Sequence, residues 1–386
     1  MTSPPAPPPN DLRLVRGAND ILVDHEGREY IDLFSANGTT WLGHANPAVA
    51  EAVARQCATL AIAGGASTEP LHAAAAALES VAGGALRFAA LYSTGMEAAE
   101  FAIRAVRCLT GRSTVLGFAG CMHGKSMATA FLGWPSAFHS EIPGIRRLAF
   151  IPERAEAAVL ASVADALRGG GVAAVFLEPI LASAGGHRPS PAFVRDLARL
   201  CREAGTLLVL DEIVTGLYRT GEAFYHHALQ VEPDVLLVGK SLGNGFPVAA
   251  VMMAAGHRVT ASMLPGSTYS GNPVAAAAAS AALAEMERLP LRTMVEGIES
   301  AVRSTLDVEG VTLRGGGALW VLALPDPDAA AALVAGARGS GVLVTAVGRF
   351  VRLLPAATIV AGNLARACTI LADEIARRND RRHAGR

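Results

Sequence analysis

Two apolar segments of the chain end in residues that could do chemistry together. The segment TLLVLDE ends in Asp211 and Glu212, and the segment DVLLVGK ends in Lys240. A lysine amine loses its proton more readily than an arginine guanidinium and can then attack a carbonyl carbon. An acid at the end of a buried strand needs a cationic or hydrogen-bonding partner. The combination indicates Schiff-base chemistry at Lys240, although Asp211 and Glu212 taken alone also fit ordinary surface acids.

The composition strengthens the case for Lys240. Of the 33 Lys and Arg residues, 31 are arginines and only two, Lys125 and Lys240, are lysines. This chain generally uses arginine where a positive charge suffices, so a lysine directly after a strand indicates a need for an amine that can lose its proton. The same argument does not explain Lys125, because an arginine would supply its charge equally well.

Two Ser/Thr-Gly segments could bind phosphate. YSTGMEAA places Gly95 and Met96 at a predicted helix start, and GSTYSGNP places Ser267, Thr268 and Tyr269 just before another helix. Backbone N–H groups at a helix N-terminus bind phosphate oxygens, and nearby hydroxyls can add to them. Both segments are also typical of a simple N-cap, so neither decides the function alone.

Strand-like and helix-like segments alternate around these motifs. Short apolar runs predict buried strands at 114–118, 172–177, 206–210, 235–238 and 248–253. Helical periodicity lies between some of them, as at 96–109 and 191–204. The alternation predicts an α/β fold with a mainly parallel sheet. Ligands bind beyond the carboxyl ends of such strands, which is where Asp211 and Lys240 fall.

The two ends of the chain differ from its middle. Residues 1–10 are Pro-rich and predict a disordered tail, and 21–33 predict a hairpin. Beyond residue 285 the sequence changes to Arg-rich helices with weaker strands. We expect 11–45 and 286–386 to form one smaller domain and 46–285 to form the large, ligand-binding domain.

Charge, hydropathy and cysteine content exclude several classes of function. The formal net charge of −1 gives no overall attraction to nucleic acid or anionic membranes. The mean hydropathy of +0.35 comes mostly from alanine, and charges, Gly or Pro interrupt every apolar run before it could span a bilayer. The five cysteines lack metal-ligand spacing, so we expect free thiols, no metal and a reducing cytoplasm.

Five motifs together resemble a known enzyme family. They are STGMEAAE, GCMHG, DEIVTGLYRTG, VGKSLGNGFP and GSTYSGNP. In order and spacing they are similar to the pyridoxal-phosphate-dependent class III aminotransferases. That group includes acetylornithine, ornithine and 4-aminobutyrate aminotransferases and glutamate-1-semialdehyde aminomutase. The resemblance covers nearly the whole chain and implies fold type I, with a mixed, mostly parallel sheet and a small α+β domain from both termini. It also implies pyridoxal 5′-phosphate as cofactor and a homodimer.

The resemblance gives a role to each main motif. Lys240 would form a Schiff base (aldimine) with the cofactor and then move the substrate's proton, and Asp211 would pair with the ring nitrogen. Gly95 and Met96 would bind the phosphate through backbone N–H groups, although Met96 replaces a Ser or Thr that often adds a hydroxyl. Thr268 of the partner subunit would contribute its own hydroxyl across the interface.

Further residues around the cofactor follow from the same resemblance. Glu178 and Glu212 resemble acids that position the site, and His123 would either lie beside the ring or be structural. Met122 stands where the family usually has an aromatic ring, and Val214 stands where a Gln or Met usually follows the acid pair. These departures imply weaker cofactor binding and altered electronic properties of the cofactor ring.

The substrate residues are less uniquely implied. Lys125 stands where acetylornithine-type members carry a carboxylate-binding arginine, and Arg352 resembles the arginine that binds an α-carboxylate in ornithine-type members. Ser183 replaces a glutamate that masks this arginine in some of them. An amine without an α-carboxylate, an amino sugar or an internal amine transfer therefore stays open. Ser267 and Trp41 are either pocket or packing residues.

The sequence thus predicts a cytoplasmic, homodimeric aminotransferase that moves an amino group from a donor to a carbonyl acceptor by a ping-pong mechanism. An aminomutase, isomerase or epimerase of the same fold is the alternative, because it would use the same motifs. A non-catalytic homologue that binds the cofactor weakly is a third interpretation. None of the three requires nucleic acid, a membrane or a metal.

Overall fold

A computed structural model describes residues 12–134 and 141–384, with side chains described up to residue 379. The tail predicted at 1–10 lies outside these ranges. The chain begins with three short antiparallel strands. They are β1 (Leu14–Ala18), β2 (Ile21–Asp24) and β3 (Glu29–Asp32). The last two form the hairpin that the sequence predicts.

A seven-stranded sheet occupies the middle of the chain. Its strands are β4 (Leu86–Tyr92), β5 (Thr114–Phe118), β6 (Ile145–Leu148), β7 (Val172–Leu177), β8 (Leu207–Asp211), β9 (Val235–Val238) and β10 (Ala249–Ala254). Their order across the sheet is β4-β10-β9-β8-β7-β5-β6. Only β10 runs against its neighbours. The predicted α/β fold with a mostly parallel sheet is confirmed, and the predicted strands fall within one residue of β5, β7, β8, β9 and β10.

Both faces of the central sheet are buried, because alternate residues of each strand point to opposite sides. In β8, Leu208 and Leu210 belong to one apolar cluster, whereas Leu207 and Val209 belong to the other. Helices cover both faces, as a mostly parallel sheet requires. These helices are Pro47–Thr59, Glu69–Val81, Gly95–Thr110, Met127–Leu132, Glu156–Leu167, Pro191–Glu203, Tyr225–Leu229 and Pro273–Arg288.

The remaining strands belong to two smaller sheets, one of which also contains β1, β2 and β3. The strands are β11 (Thr312–Gly316), β12 (Leu319–Ala323), β13 (Val342–Leu343), β14 (Thr345–Val347) and β15 (Phe350–Leu353). The helices are Leu291–Leu306, Pro327–Gly339 and Ala361–Ala384. One sheet is antiparallel, in the order β11-β12-β15-β14. In the other, β13 joins β3 in parallel, so the two ends of the chain meet in one sheet. No helix in the described ranges is long and apolar enough to cross a membrane.

Candidate active site

Charged residues lie at the carboxyl ends of three neighbouring strands, which together form one edge of the central sheet. Parallel strands β7, β8 and β9 lie side by side. Glu178 directly follows β7, Asp211 ends β8, and Lys240 follows β9 after one glycine. Because parallel strands end at the same edge, residues that are far apart in the sequence come together here, as predicted.

Asp211 and His123 form a buried pair at this edge. His123 Nδ1 lies 2.8 Å from Asp211 Oδ2, and the two side chains are 0% and 3% exposed. The backbone N–H of Ile213 donates to Asp211 Oδ1 at 3.2 Å. His123 Nε2 is buried and has no hydrogen-bond partner among the described residues. The pair is a fixed carboxylate–imidazole unit with one ring nitrogen left for a ligand.

Lys240 begins the short 3-10 turn Lys240–Gly243 with a φ of 45°, a left-handed conformation that strains any residue with a Cβ. Burial lowers the pKa of its amine, and the positive charges of Arg352 and Arg219 lower it further. The charges of Glu178 and Asp211 oppose this shift. The amine therefore loses its proton more easily than the amine of an exposed lysine.

Glu178 is a buried acid between the lysine and the loop that follows β5. Burial and the charge of Asp211 raise the pKa of its carboxyl, while the N–H of Met122 and the charge of Lys240 act in the opposite direction. That N–H donates to Glu178 Oε2 at 3.0 Å. Glu178 thus fastens the Met122–His123 segment to the end of β7.

Glu212 turns away from this cluster toward the helix Tyr225–Leu229. Its carboxylate accepts the backbone N–H groups of Tyr225 and His226 at 2.6 and 2.8 Å, and it lies 2.8 Å from His226 Nδ1. The hydroxyl of Thr215 donates to it at 3.1 Å. These contacts anchor the loop after Asp211. Val214, in the same loop, packs on an apolar cluster that includes Ile180 and Leu354.

The start of the helix Gly95–Thr110 has both an N-cap and free backbone N–H groups. The hydroxyl of Thr94 accepts the N–H of Glu97 at 3.1 Å, and the Glu97 carboxylate accepts the N–H of Ser93 at 3.0 Å. This reciprocal capping box satisfies two backbone donors. The N–H groups of Gly95 and Met96 lie between them, and neither has a partner within the described part of the chain.

Close backbone approaches bring this helix start to the charged cluster. A Cβ on Gly95 would lie 2.5 Å from Ile213 Cδ1, next to the Asp211 loop. A Cβ on Gly124 would lie 2.7 Å from Met96 Cγ. The helix start, the His123–Gly124 turn and the loop after β8 therefore pack closely together.

The second Ser/Thr-Gly segment is not part of this cluster within one chain. Ser267, Thr268 and Tyr269 are exposed, and Tyr269 has 61% of its surface accessible. Ser267 interacts with Ser270 of its own loop. No hydrogen bond in the described structure joins Thr268 to Lys240 or Asp211.

Arg352 lies on β15, with Asn37 and Ser183 on two sides of its guanidinium. Nη2 donates to Asn37 Oδ1 at 2.7 Å and Nη1 to Ser183 Oγ at 3.3 Å. Burial lowers the pKa of Arg352 to about 10, while the charge of Glu178 opposes the shift. Its Nε is buried without a partner, and no carboxylate of the described chain lies within ion-pair distance. This guanidinium can accept an anion.

Two other predicted substrate residues lie in different surroundings. Lys125 is exposed. Trp41 is fully buried, and the guanidinium carbon of Arg219 lies 3.9 Å from the centre of its ring. Packing accounts for Trp41. Asn37 and Arg219 went unnoticed in the sequence, although the Asn-Gly pair after Ala36 is a signal for a left-handed turn.

A large cleft passes Ser183, a hydrogen-bond partner of Arg352. Its volume is about 1480 Å³, and it reaches from the β14–β15 hairpin to the end of β5. Ser183, the partner of Arg352, lines it together with Phe34, Gly120, Trp134 and Phe350. Lys240, Asp211 and Arg352 do not line this cleft, and Ser183 is its connection to Arg352.

The family model for class III aminotransferases matches residues 3–375. The chain belongs to the class III aminotransferases. This family identity confirms that the protein is an aminotransferase and that its cofactor is pyridoxal 5′-phosphate.

Among curated class III aminotransferases, the chain is 36% identical to the acetylornithine aminotransferase of Mycolicibacterium smegmatis, with 93% of this chain and 92% of the relative covered. It is 33% identical to the 2-aminoadipate transaminase of Pseudomonas putida, with 95% and 96% covered. The ornithine aminotransferase structure from Toxoplasma gondii superimposes with a TM-score of 0.86 at 26% identity, with 96% and 92% covered.

The site residues of this class III aminotransferase fit the cofactor. A buried Asp211–His123 pair offers an acceptor for a protonated ring nitrogen, and the unpartnered His123 Nε2 provides a further polar contact. The free N–H groups of Gly95 and Met96 fit a phosphate. Lys240 provides an amine that burial keeps easy to deprotonate.

Proposed function

We propose that Lys240 is the residue that bonds to the cofactor and that it then moves a proton at the substrate carbon. The observation that carries this proposal is its position beside Asp211 at the ends of neighbouring strands β9 and β8. The bound cofactor withdraws electrons from the substrate carbon and so stabilises the negative charge formed there. Lys240 acts as an acid and base because its lowered pKa lies nearer to neutrality.

The other residues of the cluster hold and orient the cofactor. The carboxylate of Asp211, kept in place by His123 and by the Ile213 N–H, would keep the ring nitrogen protonated. Gly95 and Met96 would donate their backbone N–H groups to the phosphate. Glu178 would position the Met122–His123 segment through its contact with the Met122 N–H. The Met122 side chain would lie against the ring in place of an aromatic group.

A second copy of the chain would complete the site. Among the described residues, none forms a hydrogen bond with Thr268, which is exposed, and its loop carries the exposed Tyr269. Met96 and Met127 are exposed apolar residues as well. We therefore propose a homodimer in which Thr268 of the partner subunit reaches the phosphate. The five free cysteines support a reducing, cytoplasmic location.

Arg352 would bind a carboxylate of the substrate. Its guanidinium is buried, its two hydrogen-bond partners Asn37 and Ser183 are neutral, and Ser183 lines a large cleft. Arginine binds carboxylates well because its planar fork matches their geometry. The similarity to acetylornithine and 2-aminoadipate aminotransferases supports amino acids as donors and keto acids or aldehydes as acceptors.

Lys240 can be tested by chemical trapping. Purified protein should be yellow, and reduction with borohydride should fix one cofactor mass on the peptide that contains Lys240. K240A should lose this label and the transfer activity. Lys125, the other lysine, provides the matched control, since K125A should keep the label. Protein that stays colourless with added cofactor would contradict the proposal and favour a non-catalytic homologue.

An aminomutase is the second candidate, because the chain is also 33% identical to the glutamate-1-semialdehyde aminomutase of Aeropyrum pernix over 78% of its length. The two activities differ in their need for an acceptor. Without a keto acid, an aminotransferase stops after one half-reaction and leaves the cofactor in its amine form. An aminomutase or isomerase continues to turn over, and multiple turnovers would therefore overturn ping-pong transfer.

A further inference from the structure

Arg219 is a fully buried cation without an anionic partner. Its side chain is 0% exposed, and no carboxylate of the described residues pairs with it. Nη2 donates to the carbonyl of Gly38 at 2.7 Å, and Nη1 donates to the carbonyl of Pro355 at 2.7 Å. The plane of Trp41 lies against the guanidinium, with 3.9 Å between the Arg219 Cζ and the ring centre. Burying a charge is costly, so a residue kept here indicates a specific need.

These contacts join three distant parts of the chain. Gly38 and Trp41 belong to the N-terminal segment, and Pro355 follows β15 in the C-terminal segment. Arg219 itself follows the loop that begins at Asp211, and its backbone carbonyl accepts the N–H of Ala318 at 2.8 Å. A single guanidinium therefore links both ends of the chain to the part that carries the catalytic cluster.

Both carbonyls lie next to the residues of the Arg352 site. Gly38 follows Asn37, which accepts from Arg352 at 2.7 Å, and Pro355 lies three residues after Arg352 itself. Arg219 thus bonds the neighbour of Asn37, which contacts the Arg352 guanidinium, and the segment just after β15, the strand that carries Arg352.

The Asn37 segment needs such an anchor because its backbone is strained. Ser35, Ala36 and Asn37 have φ values of 46°, 48° and 65°, and Gly38 continues the left-handed run at 81°. Non-glycine residues adopt this conformation only when their surroundings hold them in it. The Asp32 carboxylate caps the start of the turn by accepting the N–H groups of Phe34 and Ser35 at 2.8 and 2.9 Å. Arg219 holds the end of the turn through its hydrogen bond to the Gly38 carbonyl.

We propose that Arg219 is a positioning residue for the substrate-carboxylate site, fixing Asn37 and the end of β15 so that Arg352 meets the carboxylate in one geometry. This inference rests on the proposed function of Arg352. A lysine cannot replace Arg219, because a single ammonium lacks the planar fork that reaches two carbonyls while lying flat on Trp41.

The test compares R219K and R219M with a matched pair of controls. Arg112 also donates to backbone carbonyls, those of Val172, Ala204 and Gly205 at 3.1, 3.0 and 2.8 Å, but it lies just before β5 at the opposite edge of the sheet. R112K and R112M therefore remove a similar set of contacts away from the site. All variants are prepared as cofactor-loaded protein.

Two readouts separate positioning from general damage. The first is the KM and kcat of the best amino-acid donor. The second is the inhibition constant of pentanoate, which has a carboxylate but no amine, compared with that of neutral pentanamide. For both R219K and R219M we expect KM and the pentanoate constant to rise about tenfold or more. In R219K, which keeps a positive charge near Lys240, we expect kcat, the pentanamide constant and the absorption spectrum of the bound cofactor to stay nearly constant. R219M removes that charge as well, so it is compared only in KM and in pentanoate binding. The Arg112 variants should shift neither of these two constants.

Each other result overturns the inference. Arg219 variants that leave KM and the pentanoate constant unchanged show that the site forms without Arg219. If R219K loses kcat, the cofactor spectrum and pentanoate binding together, Arg219 has only a structural role. R352A identifies the source of a failure. If it leaves pentanoate binding intact, the proposed role of Arg352 fails as well; if it abolishes binding while Arg219 variants do not, only the positioning role fails.

Discussion

At the residue scale, the site depends on where charges are buried and which charges lie near them. Asp211 is surrounded by the His123 imidazole and the Ile213 N–H, both of which stabilise a carboxylate. Glu178, one strand away, is nearly fully buried beside Asp211, and burial together with that neighbouring charge raises its pKa. Two acids at the same sheet edge thus have different surroundings, and those of Asp211 include two hydrogen-bonding groups directed at its carboxylate.

Removing the charge of Asp211 without changing its size tests this assignment. We predict that D211N lowers kcat by about 10²- to 10³-fold, the effect typical of losing one preorganised electrostatic contact to the transition state. Single-turnover rates with an amino-acid donor provide the measurement. The cofactor should still bind through Lys240 and the phosphate contacts.

A partly exposed acid at the opposite end of the strands gives the control for D211N. Asp234 also pairs with a histidine, His257, at 2.9 Å, but it precedes β9 and so lies at the other end of the strands. D234N should keep kcat within about threefold, since surface changes away from the site rarely have larger effects. A D211N enzyme as active as D234N would refute the proposed role of Asp211.

At the element scale, the start of the helix Gly95–Thr110 is capped and still has free backbone donors. The Thr94–Glu97 capping box occupies the N–H groups of Ser93 and Glu97 and leaves those of Gly95 and Met96 free. The free donors have a fixed direction because the donors on either side are bonded. A phosphate at this position also meets the positive end of the helix dipole.

Disrupting the cap should therefore weaken cofactor binding as well as stability. We predict that T94A lowers the free energy of unfolding by about 1 kcal/mol, the usual value of an N-cap, and raises the cofactor Kd several-fold. T94S should restore both. Urea unfolding of the cofactor-free protein and titration with cofactor provide the two measurements.

Another N-cap separates these two effects. Asn46 caps the helix Pro47–Thr59 by accepting the N–H of Val49 at 3.2 Å. N46A should lose a similar amount of stability while the cofactor Kd stays constant. An equal loss of cofactor affinity in N46A and T94A would show that the helix start has no direct part in phosphate binding.

At the scale of the whole molecule, burial divides the cysteines into two groups. Cys121, Cys201 and Cys368 are buried, whereas Cys57 and Cys108 are exposed. Burial raises the pKa of the Cys201 thiol to about 12 and that of Cys368 to about 11, and it raises the pKa of Cys121 as well. Thiolate is the reactive form, so the buried group should be inert in the folded protein.

A thiol titration checks this division. At pH 8 an aromatic disulfide reagent should react quickly with the two exposed cysteines, Cys57 and Cys108, and with all five after unfolding in denaturant. C57S combined with C108S should abolish the fast reaction. Fast modification of a third cysteine in the native protein would mean that one of the buried sites opens to solvent. Protection of Cys57 or Cys108 would instead indicate that a second subunit covers it.

Much of the fold and of the central cluster was predictable because the relevant signals are local. The uninterrupted apolar runs of β5, β7, β8 and β9 can only be strands of a covered sheet, and the residues that follow them must lie at its carboxyl edge. The positions of Lys240 and Asp211 at this edge were predicted in this way. The edge strand β6 was missed, because its two exposed arginines, Arg146 and Arg147, break the apolar pattern.

The sequence by itself determined the class of fold, the family and the residues able to carry the chemistry, because strand pattern and residue type are properties of short segments. Only the tertiary structure decided which of two plausible roles each side chain has. Glu212 turns to a neighbouring helix, while Glu178 stays with the lysine. It also decided the surroundings of Arg352, since Asn37, Ser183 and Arg219 come from separate segments of the chain. Such contacts depend on long-range packing of buried groups, which no local pattern records.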